Sequence, residues 1–299
     1  TAPGQMLHFE YFSGGKSRRK TLFLLPGPPR EMQPMFEETA EPFLKSYFSG
    51  IKKSETVHVF GYAESVVAEM IKPVMDIASF GGGKHVEFGI FAGDSVIDIK
   101  FSVSGTDELI IDESLNNLRT EILNILKDGV FGFGSDTLES AAGKLLSENG
   151  KTVSFAESCT GGMIAQKITS AAGSSAYFKT SAVTYSNDSK IKLLGVKPET
   201  LDKFGAVSEE TAKEMALGIL KLAESDYGLS VTGIAGPGGA TKEKPVGLVY
   251  MGLASKKGVQ AFKYNFSGSR DDIRRRASNY ALDLLRRKLS EDKRGKKQK

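Results

Sequence analysis

Helical and strand patterns alternate along the second half of the chain, from Thr137 to residue 289. This alternation is typical of a layered α/β domain, in which a sheet carries helices on both faces. The run Lys256-Lys257-Gly258 separates two apolar stretches and predicts a hairpin turn, so we expect a mixed sheet. The patterns predict helices at 137–148, 160–170, 188–194, 208–224 and 270–289, and strands at 151–156, 180–185, 227–232, 246–254 and 259–266.

A different pattern precedes this C-terminal domain, which we place at 137–290. Residues 51–136 predict a small α+β domain with a KH-like layout. Its expected elements are a helix at 64–77, which Pro73 should kink or end, two strands within 86–103, and a helix at 107–126.

The two ends of the chain do not predict complete domains. Residues 1–50 contain a short strand, Thr21 to Leu25, and a helix from Arg30 to about Phe48, which together are a piece of an α/β unit. The chain begins without Met, and we expect it to be part of a larger protein. The basic run at 291–299 is expected to be a disordered tail.

Histidine and cysteine are scarce, which limits the available chemistry. The three histidines lie in the first third of the chain, and Cys159 is the single cysteine. A disulfide framework or a thiolate metal cluster within one chain is therefore excluded, and neither a Ser-His-Asp triad nor a His-ligated metal is expected after residue 137. No apolar run reaches about 18 residues, so we expect a cytoplasmic protein that needs no membrane, metal or cofactor.

The most informative segment is Ala156-Glu157-Ser158-Cys159-Thr160-Gly161-Gly162, between a predicted strand and an amphipathic stretch. A strand that leads into a helix through Thr160, Gly161 and Gly162 presents a hydroxyl, backbone N–H groups and a positive helix end at one place. We expect an anion or an oxyanion to bind there. Because successive residues leaving a strand point to opposite faces, only one of Ser158 and Cys159 is expected to face the pocket.

Polar and glycine residues also follow the next strands. Tyr185, Ser186 and Asn187, with Lys190, follow the second strand of this domain, and the run from Thr232 to Gly239 follows the third. Ligands of open α/β sheets bind outside the carboxyl ends of the strands. If these strands are parallel, the three clusters meet at one edge. The residues that we expect to bind substrate there are Asn187, Thr232, Gly233, Gly236 and Gly238.

Each cluster has a simpler interpretation when it is taken alone. Residues 236–239 are typical of a turn and match neither the P-loop nor the G-x-G-x-x-G spacing. Ser174 and Ser175, after Gly173, are consistent with a helix cap, and Lys190 with a solvated helix residue. The convergence of the clusters after strands is what favours a binding site.

Ser267-Gly268-Ser269-Arg270 opens the last predicted helix, with Ser269 as its N-cap and Asp272 three residues later. Arg270 therefore stands at a positive helix end, and Arg274, one turn later, faces the same way. The two arginines are candidate ligands of a substrate phosphate. Solvated arginines beside a structural cap are the alternative.

Five motifs in order make the segment from about Leu138 to Leu289 resemble a known family. They are the 156–162 segment, Gly173-Ser174-Ser175-Ala176-Tyr177-Phe178, Val183-Thr184-Tyr185-Ser186-Asn187 with Lys190, Gly205-Ala206-Val207-Ser208-Glu209, and Gly233-Ile234-Ala235-Gly236-Pro237-Gly238-Gly239 followed by Lys244-Pro245-Val246-Gly247. The segment resembles the C-terminal domain of CinA, the competence/damage-inducible protein, whose stand-alone relatives are the PncC-like nicotinamide-nucleotide amidohydrolases. Residues 25–32 resemble the closing piece of the molybdopterin-binding-like N-terminal domain of CinA, so 1–50 is expected to be a remnant of it.

The resemblance implies hydrolysis of the carboxamide of nicotinamide mononucleotide to nicotinate mononucleotide and ammonia, by a protein that we expect to be a homodimer. It favours Ser158 as nucleophile, because family members keep the serine and vary at the next position, which makes Cys159 a small buried hydrophobe. We also expect Thr160, Gly161, Gly162, Ser174 and Ser175 to contact the substrate.

Amide hydrolysis without metal or histidine needs a nucleophile, a base and an oxyanion pocket. Lys190 or Tyr185 fits the base, as in Ser-Lys variants of the triad. A free lysine has a pKa near 10.4 and a useful base needs about 7–8, so Lys190 must be desolvated or lie near another cation. Tyr185 is the alternative, as a relay between Ser158 and Lys190.

Two other functions remain open from the sequence. The glycine loops are also consistent with a regulatory module that binds a nucleotide without turnover, linked to competence or to the DNA damage response. Nucleic-acid binding through the 51–136 domain and the basic tail is disfavoured, because Gly81-Gly82-Gly83-Lys84 does not supply a G-x-x-G clamp between two helices.

Overall fold

The computed structural model describes residues 3–47, 50–78, 85–93 and 95–297. Residues 81–84, considered above as a possible clamp, lie outside this part of the chain. The N-terminal segment is a two-stranded antiparallel hairpin followed by a broken helix, with elements β1 (Gln5–Ser13), β2 (Lys16–Leu24), α1 (Pro29–Met35), a π-helical turn (Phe36–Ala40) and α2 (Glu41–Tyr47). The predicted strand at 21–25 thus overlaps the end of β2, and β1 was not predicted.

The middle domain follows as an antiparallel sheet with two helices against it. Its elements are β3 (Ile51–Phe60), α3 (Glu64–Ala78), β4 (His85–Gly93), β5 (Val96–Gly105), α4 (Glu108–Leu126) and β6 (Val130–Phe133). The strand order is β4-β5-β3-β6. The α+β prediction is confirmed, although β3 and β6 were not predicted and α3 continues through Pro73 to Ala78.

The C-terminal domain is a mixed sheet in the order β11-β10-β9-β7-β8. Strands β7, β8 and β9 are parallel, whereas β10 and β11 form the predicted hairpin. Its elements are α5 (Leu138–Asn149), β7 (Val153–Glu157), α6 (Met163–Ser170), β8 (Phe178–Val183), α7 (Asn187–Leu194), α8 (Pro198–Phe204), α9 (Glu209–Ala223), β9 (Tyr227–Gly233), β10 (Leu248–Ser255), β11 (Gly258–Asn265) and α10 (Arg270–Lys297).

Helices cover both faces of this sheet, as predicted. Val153 and Phe155 of β7 enter a core with α5, α6 and α10, whereas Ala156 enters a second core with α7, α8 and α9. This opposite packing of neighbouring residues follows from the alternation of side chains along a strand. Because β7 is paired on both sides, with β8 and β9, and is buried on both faces, its carboxyl end is held rigidly.

Helix α10 joins the C-terminal domain to the middle domain. Buried Asp283 accepts hydrogen bonds from Arg286 and Arg287, with nitrogen–oxygen distances of 2.6–2.8 Å. These arginines in turn donate to the backbone carbonyls of Asp128 and Phe60 in the middle domain, at 2.7 and 3.3 Å. The Phe60 ring is fully buried in the C-terminal core. The two domains are therefore fixed by an inserted aromatic ring and a hydrogen-bonded cluster of charges.

The predicted disordered tail from residue 291 is wrong over 291–297, where α10 continues. Lys293 pairs with Glu148 at 2.8 Å, and Arg294 pairs with Asp128 at 2.9 Å. These basic side chains are held by carboxylates of the folded body, which explains why the helix extends past the predicted end at 289. Across the described ranges, no helix combines the length and apolar character that crossing a bilayer would require.

The charge cluster gives a test of the junction between the domains. Asp283→Ala leaves the buried Arg286 and the partly exposed Arg287 without their carboxylate, and we expect it to lower the free energy of unfolding by about 3–5 kcal/mol. Glu291→Ala, which removes an exposed partner of Lys288 on the same helix, should cost less than about 1 kcal/mol. Urea unfolding of both variants measures the difference, and equal losses would contradict the assignment.

Candidate active site

The carboxyl ends of β7, β8 and β9 meet at one edge of the sheet, where they surround a cleft of about 240 Å³. The convergence predicted from the sequence is therefore present. The cleft is lined by Ser158, Cys159, Tyr185, Lys190, Ala206, Val207, Thr232, Gly233, Ile234, Ala235, Gly236, Gly238, Gly239 and Arg270.

Ser158 and Lys190 are in direct contact in this cleft. The Lys190 Nζ lies 3.2 Å from the Ser158 Oγ, although the residues belong to different elements. The same Nζ donates to the Thr184 carbonyl at 2.7 Å and to the Tyr185 carbonyl at 3.3 Å. The Lys190 side chain is 1% exposed and Ser158 is 8% exposed, so the contact is shielded from water.

The three contacts define two protonation states of Lys190. As an ammonium, it donates to all three oxygens. As a neutral amine, it donates to the two carbonyls and keeps its lone pair for the Ser158 hydroxyl. Burial lowers the pKa of Lys190, which favours this neutral state. The environment therefore suits Lys190 to accept the Ser158 proton.

Cys159 follows Ser158, and both residues line the cleft, so the prediction that only one of them faces the pocket is wrong. The thiol differs in its surroundings, since Cys159 packs into the main hydrophobic core. Burial raises its pKa to about 12. A thiol that stays protonated is a poor nucleophile, and the Lys190 amine contacts the Ser158 hydroxyl, so the geometry favours Ser158.

The predicted anion site at the start of α6 is filled by the protein itself. The buried Glu157 carboxylate accepts hydrogen bonds from the backbone N–H groups of Gly162, Ile164 and Ala165, at 2.9–3.1 Å. Thr160, Gly161 and Gly162 are absent from the lining of the cleft. The expectation that these three residues hold a substrate anion is thus corrected, because a neighbouring side chain already satisfies the helix end.

The glycine-rich loop after β9 forms the opposite wall of the cleft. Thr232, Gly233, Gly236 and Gly238 all line it, as predicted. The Thr232 hydroxyl is buried and donates to the Ala206 carbonyl at 2.7 Å, which joins β9 to the 205–207 loop. No N–H group of Ala235, Gly236, Gly238 or Gly239 donates to an acceptor in the described part of the chain. These N–H groups remain available to a ligand.

Arg270 spans the mouth of the cleft. It donates to the Gly236 carbonyl at 2.6 Å and to the Tyr185 hydroxyl at 3.1 Å. Tyr185 therefore meets the site in two ways, because its carbonyl accepts from Lys190 while its largely exposed ring extends to Arg270. The relay geometry is not observed, since Lys190 reaches Ser158 without the tyrosine hydroxyl.

Two parts of the chain match families of known proteins. Residues 135–289 match the family description "CinA C-terminal domain", and residues 54–132 match "Damage-inducible protein CinA KH domain". A CinA-like protein of Endomicrobium trichonymphae is 68% identical over 289 residues, which are 97% of this chain and 68% of the relative. This chain belongs to the CinA family.

Other relatives agree with that membership. A putative competence-damage inducible protein of Alkaliphilus metalliredigens is 43% identical over 97% of this chain and 67% of its own length. A crystal structure of a CinA superfamily protein from Klebsiella pneumoniae 700603 has a TM-score of 0.50 and 32% identity, and it covers 52% of this chain and 96% of the other. The middle domain is thus a CinA KH domain, as its KH-like layout suggested.

Several residues predicted to bind substrate lie elsewhere in the CinA fold. Ser174 and Ser175 precede β8, at the amino edge of the sheet, so they are on the wrong side to reach the cleft of the same chain. Asn187 is exposed in the first turn of α7. Arg274 donates to the Thr160 carbonyl at 3.2 Å and pairs with Asp271 instead of lining the cleft. The predicted N-cap is present, because Ser269 and Asp272 exchange hydrogen bonds.

Sequence reasoning also missed parts of the site. The Thr184 carbonyl that holds Lys190 is a backbone atom and leaves no mark in the sequence. Ala206 and Val207 line the cleft, and their motif was noted without a role. Among the described residues, no group of three or more His, Cys, Asp and Glu side chains is placed to hold a metal ion.

The buried amine predicts a specific dependence of stability on pH. Because its pKa is lowered in the folded state, the unfolded chain binds more protons between that lowered pKa and about 10.4. The unfolding free energy of the wild type relative to Lys190→Met should therefore rise with pH in this window. Urea titrations at about pH 7, 8 and 9 measure it, with Lys192→Met on the same helix as control. A difference that is flat or falls would contradict the prediction.

Proposed function

We propose that the chain hydrolyses the carboxamide of nicotinamide mononucleotide to nicotinate mononucleotide and ammonia. The observation that carries this proposal is the buried contact between the Ser158 Oγ and the Lys190 Nζ at the carboxyl edge of the sheet. A hydroxyl in contact with a desolvated amine supplies the nucleophile and the base that acyl transfer requires. Membership of the CinA family, whose C-terminal domain the sequence resembled, supports the choice of substrate.

The reaction follows from the two protonation states of Lys190. The neutral amine takes the Ser158 proton as Oγ attacks the carboxamide carbon, and the resulting ammonium gives that proton to the leaving nitrogen as the C–N bond breaks. Ammonia leaves an acyl ester on Ser158. Lys190, neutral again, then takes a proton from a water that attacks the ester, and it gives this proton to the Ser158 Oγ as the ester C–O bond breaks, which releases the carboxylic acid and restores both residues.

Lowering a lysine pKa from about 10.4 to about 7–8 corresponds to roughly 4 kcal/mol. Burial of Lys190 acts in that direction. The pyridinium ring of the bound substrate carries a positive charge and would lower this pKa further. The substrate thus contributes to activating its own base, and its positive ring also makes the carboxamide carbon more electrophilic.

The oxyanion that forms on the carboxamide oxygen needs hydrogen-bond donors. The N–H groups at the start of α6 are occupied by Glu157. The glycine-rich loop at 235–239 is therefore the better candidate, since its residues line the cleft and its N–H groups are not used elsewhere in the described chain. Removing a donor of this kind typically costs about 100- to 1,000-fold in kcat.

Arg270 is the candidate ligand of the substrate phosphate. It lines the cleft, while the lining as described contains no Asp or Glu. With Lys190 neutral, Arg270 is the charged side chain of the described lining, so the cleft attracts an anionic group there, and the guanidinium fork suits phosphate oxygens. Arg274 is a weaker candidate because it is bonded to the Thr160 carbonyl and Asp271.

Adjacent residues provide a matched test of the nucleophile. Ser158→Ala should reduce ammonia release from nicotinamide mononucleotide by at least about 10,000-fold, because loss of a nucleophile leaves only binding and oxyanion stabilisation. Cys159→Ala should stay within about 10-fold of the wild type, since the thiol is protonated. Substantial turnover by a folded Ser158→Ala protein would refute the mechanism. Binding of the nucleotide without ammonia release by the wild type would favour the non-catalytic regulatory module.

The phosphate assignment has its own test. Arg270→Gln should raise KM for nicotinamide mononucleotide about 10- to 100-fold, because it removes a charge-assisted hydrogen bond to the phosphate. The KM for nicotinamide riboside, which has no phosphate, should change little. Arg276→Gln on the same helix, whose guanidinium bonds Ser267, is the control and should leave both KM values unchanged. Equal effects of Arg270→Gln on the two substrates would show that this residue does not read the phosphate.

A further inference from the structure

Glu157 is a fully buried carboxylate beside the nucleophile that the proposed chemistry does not use. One of its oxygens, Oε2, accepts from the N–H groups of Gly162 and Ile164 at 2.9 and 3.1 Å. The other, Oε1, accepts from the Ala165 N–H at 2.9 Å and from the Ser181 hydroxyl at 3.1 Å. A buried carboxylate is costly unless its oxygens are bonded, and here each oxygen has two donors.

These bonds close a ring around the nucleophile. The Glu157 carboxylate binds Gly162, so the backbone from 157 to 162 forms a loop that its own side chain ties shut, and Ser158 lies inside it. Gly161 and Gly162 both have positive φ, which this tight path requires. The hydroxyl of Ser181 attaches the loop to β8. The position of the Ser158 Oγ thus depends on where the carboxylate is held.

Residue 157 is also joined to the segment that holds the base. Its carbonyl accepts from the Thr184 N–H at 2.8 Å, and the Thr184 carbonyl accepts from the Lys190 Nζ at 2.7 Å. The two halves of the Ser158–Lys190 pair therefore meet at Glu157, through its side chain on one side and its backbone on the other.

We propose that Glu157 is a positioning residue, an internal anion that occupies the helix end in place of a substrate anion and thereby fixes the Ser158 Oγ against the Lys190 Nζ. This inference rests on the proposed role of Ser158. It assigns the hydrogen-bond donors of α6 to holding the nucleophile and leaves substrate recognition to the glycine-rich loop. A displacement of about 1 Å at a reacting atom typically costs on the order of 100-fold in rate.

The test compares two carboxylates at opposite edges of the parallel strands, Glu157 at the carboxyl end of β7 and Asp226 directly before β9. Glu157→Gln replaces one carboxylate oxygen, which accepts two hydrogen bonds, with an NH2 group that can only donate and therefore opposes the donors around it. We expect kcat to fall roughly 100-fold while KM changes less than about 3-fold. Asp226→Asn is the matched control, because Asp226 accepts from the Thr152 N–H, the Thr152 hydroxyl and Lys151 at the amino end. It should lose stability with kcat within about 2-fold of the wild type.

A second pair of variants keeps the proposal testable if Glu157→Gln does not fold. Ser181→Ala removes one of the four bonds to the carboxylate and leaves the charge in place. We expect kcat to fall about 3- to 10-fold at unchanged KM, as for loss of one bond to a charged group, and Ser181→Thr, which keeps the hydroxyl, should restore it. Wild-type kcat in a folded Glu157→Gln protein, or in Ser181→Ala, would overturn the proposal.

Alkylation of Cys159 gives a readout that does not depend on amide turnover. Cys159 is the single thiol of the chain, so iodoacetamide labelling followed by mass spectrometry reports on the 158–162 loop alone. Labelling should be about 10-fold faster in Glu157→Gln than in Asp226→Asn, because loss of the closure exposes the thiol. If the wild type releases no ammonia, the proposed function fails, whereas equal labelling of the two variants rejects the role of Glu157.

Discussion

The burial of the Lys190 amine is the constraint on which the rest of the site depends. In the described structure its partners are three oxygens of Ser158, Thr184 and Tyr185, and no carboxylate pairs with it. Two carbonyls orient the amine but cannot neutralise an ammonium, so burial lowers its pKa and favours the neutral state. The fold therefore holds a poorly solvated amine against the Ser158 hydroxyl, and it requires rigid surroundings to keep the amine in place.

The distribution of negative charge around the cleft also favours the neutral state of Lys190. Glu157 directly precedes Ser158, and backbone N–H donors at the start of α6 stabilise its negative charge. A carboxylate facing Lys190 would stabilise the ammonium and remove the base. The described cleft lining instead offers Arg270 and free N–H groups, which suit an anionic substrate and a developing oxyanion. The buried Glu157 carboxylate can thus hold the 157–162 loop in place without stabilising the ammonium form of Lys190.

The sequence predicted what depends on periodicity and strand order. The parallel strands β7, β8 and β9 brought Ser158, Lys190 and Thr232 to one edge because side chains after such strands must meet there. The sequence did not predict which group would bind the N–H donors at the start of α6. Only the folded structure brings the Glu157 carboxylate to these donors, where it takes the place of a ligand. The prediction that Ser174 and Ser175 bind substrate failed for a topological reason. Their motif precedes a strand and therefore lies at the opposite edge of the sheet from the cleft. The end of α10 was missed because Lys293 and Arg294 pair with distant carboxylates.

Helix α10 connects the chemistry to the middle domain. Its 28 residues span about 42 Å, and its first residue, Arg270, contacts the cleft. Near the other end, Arg286 and Arg294 bind the turn at Asp128. A helix anchored at both ends has little freedom to rotate or slide, so the contacts at Asp128 help to set the place of Arg270. The contacts of the KH domain with α10 therefore help to fix this edge of the cleft, although the KH domain contributes no residue to the described lining of the cleft.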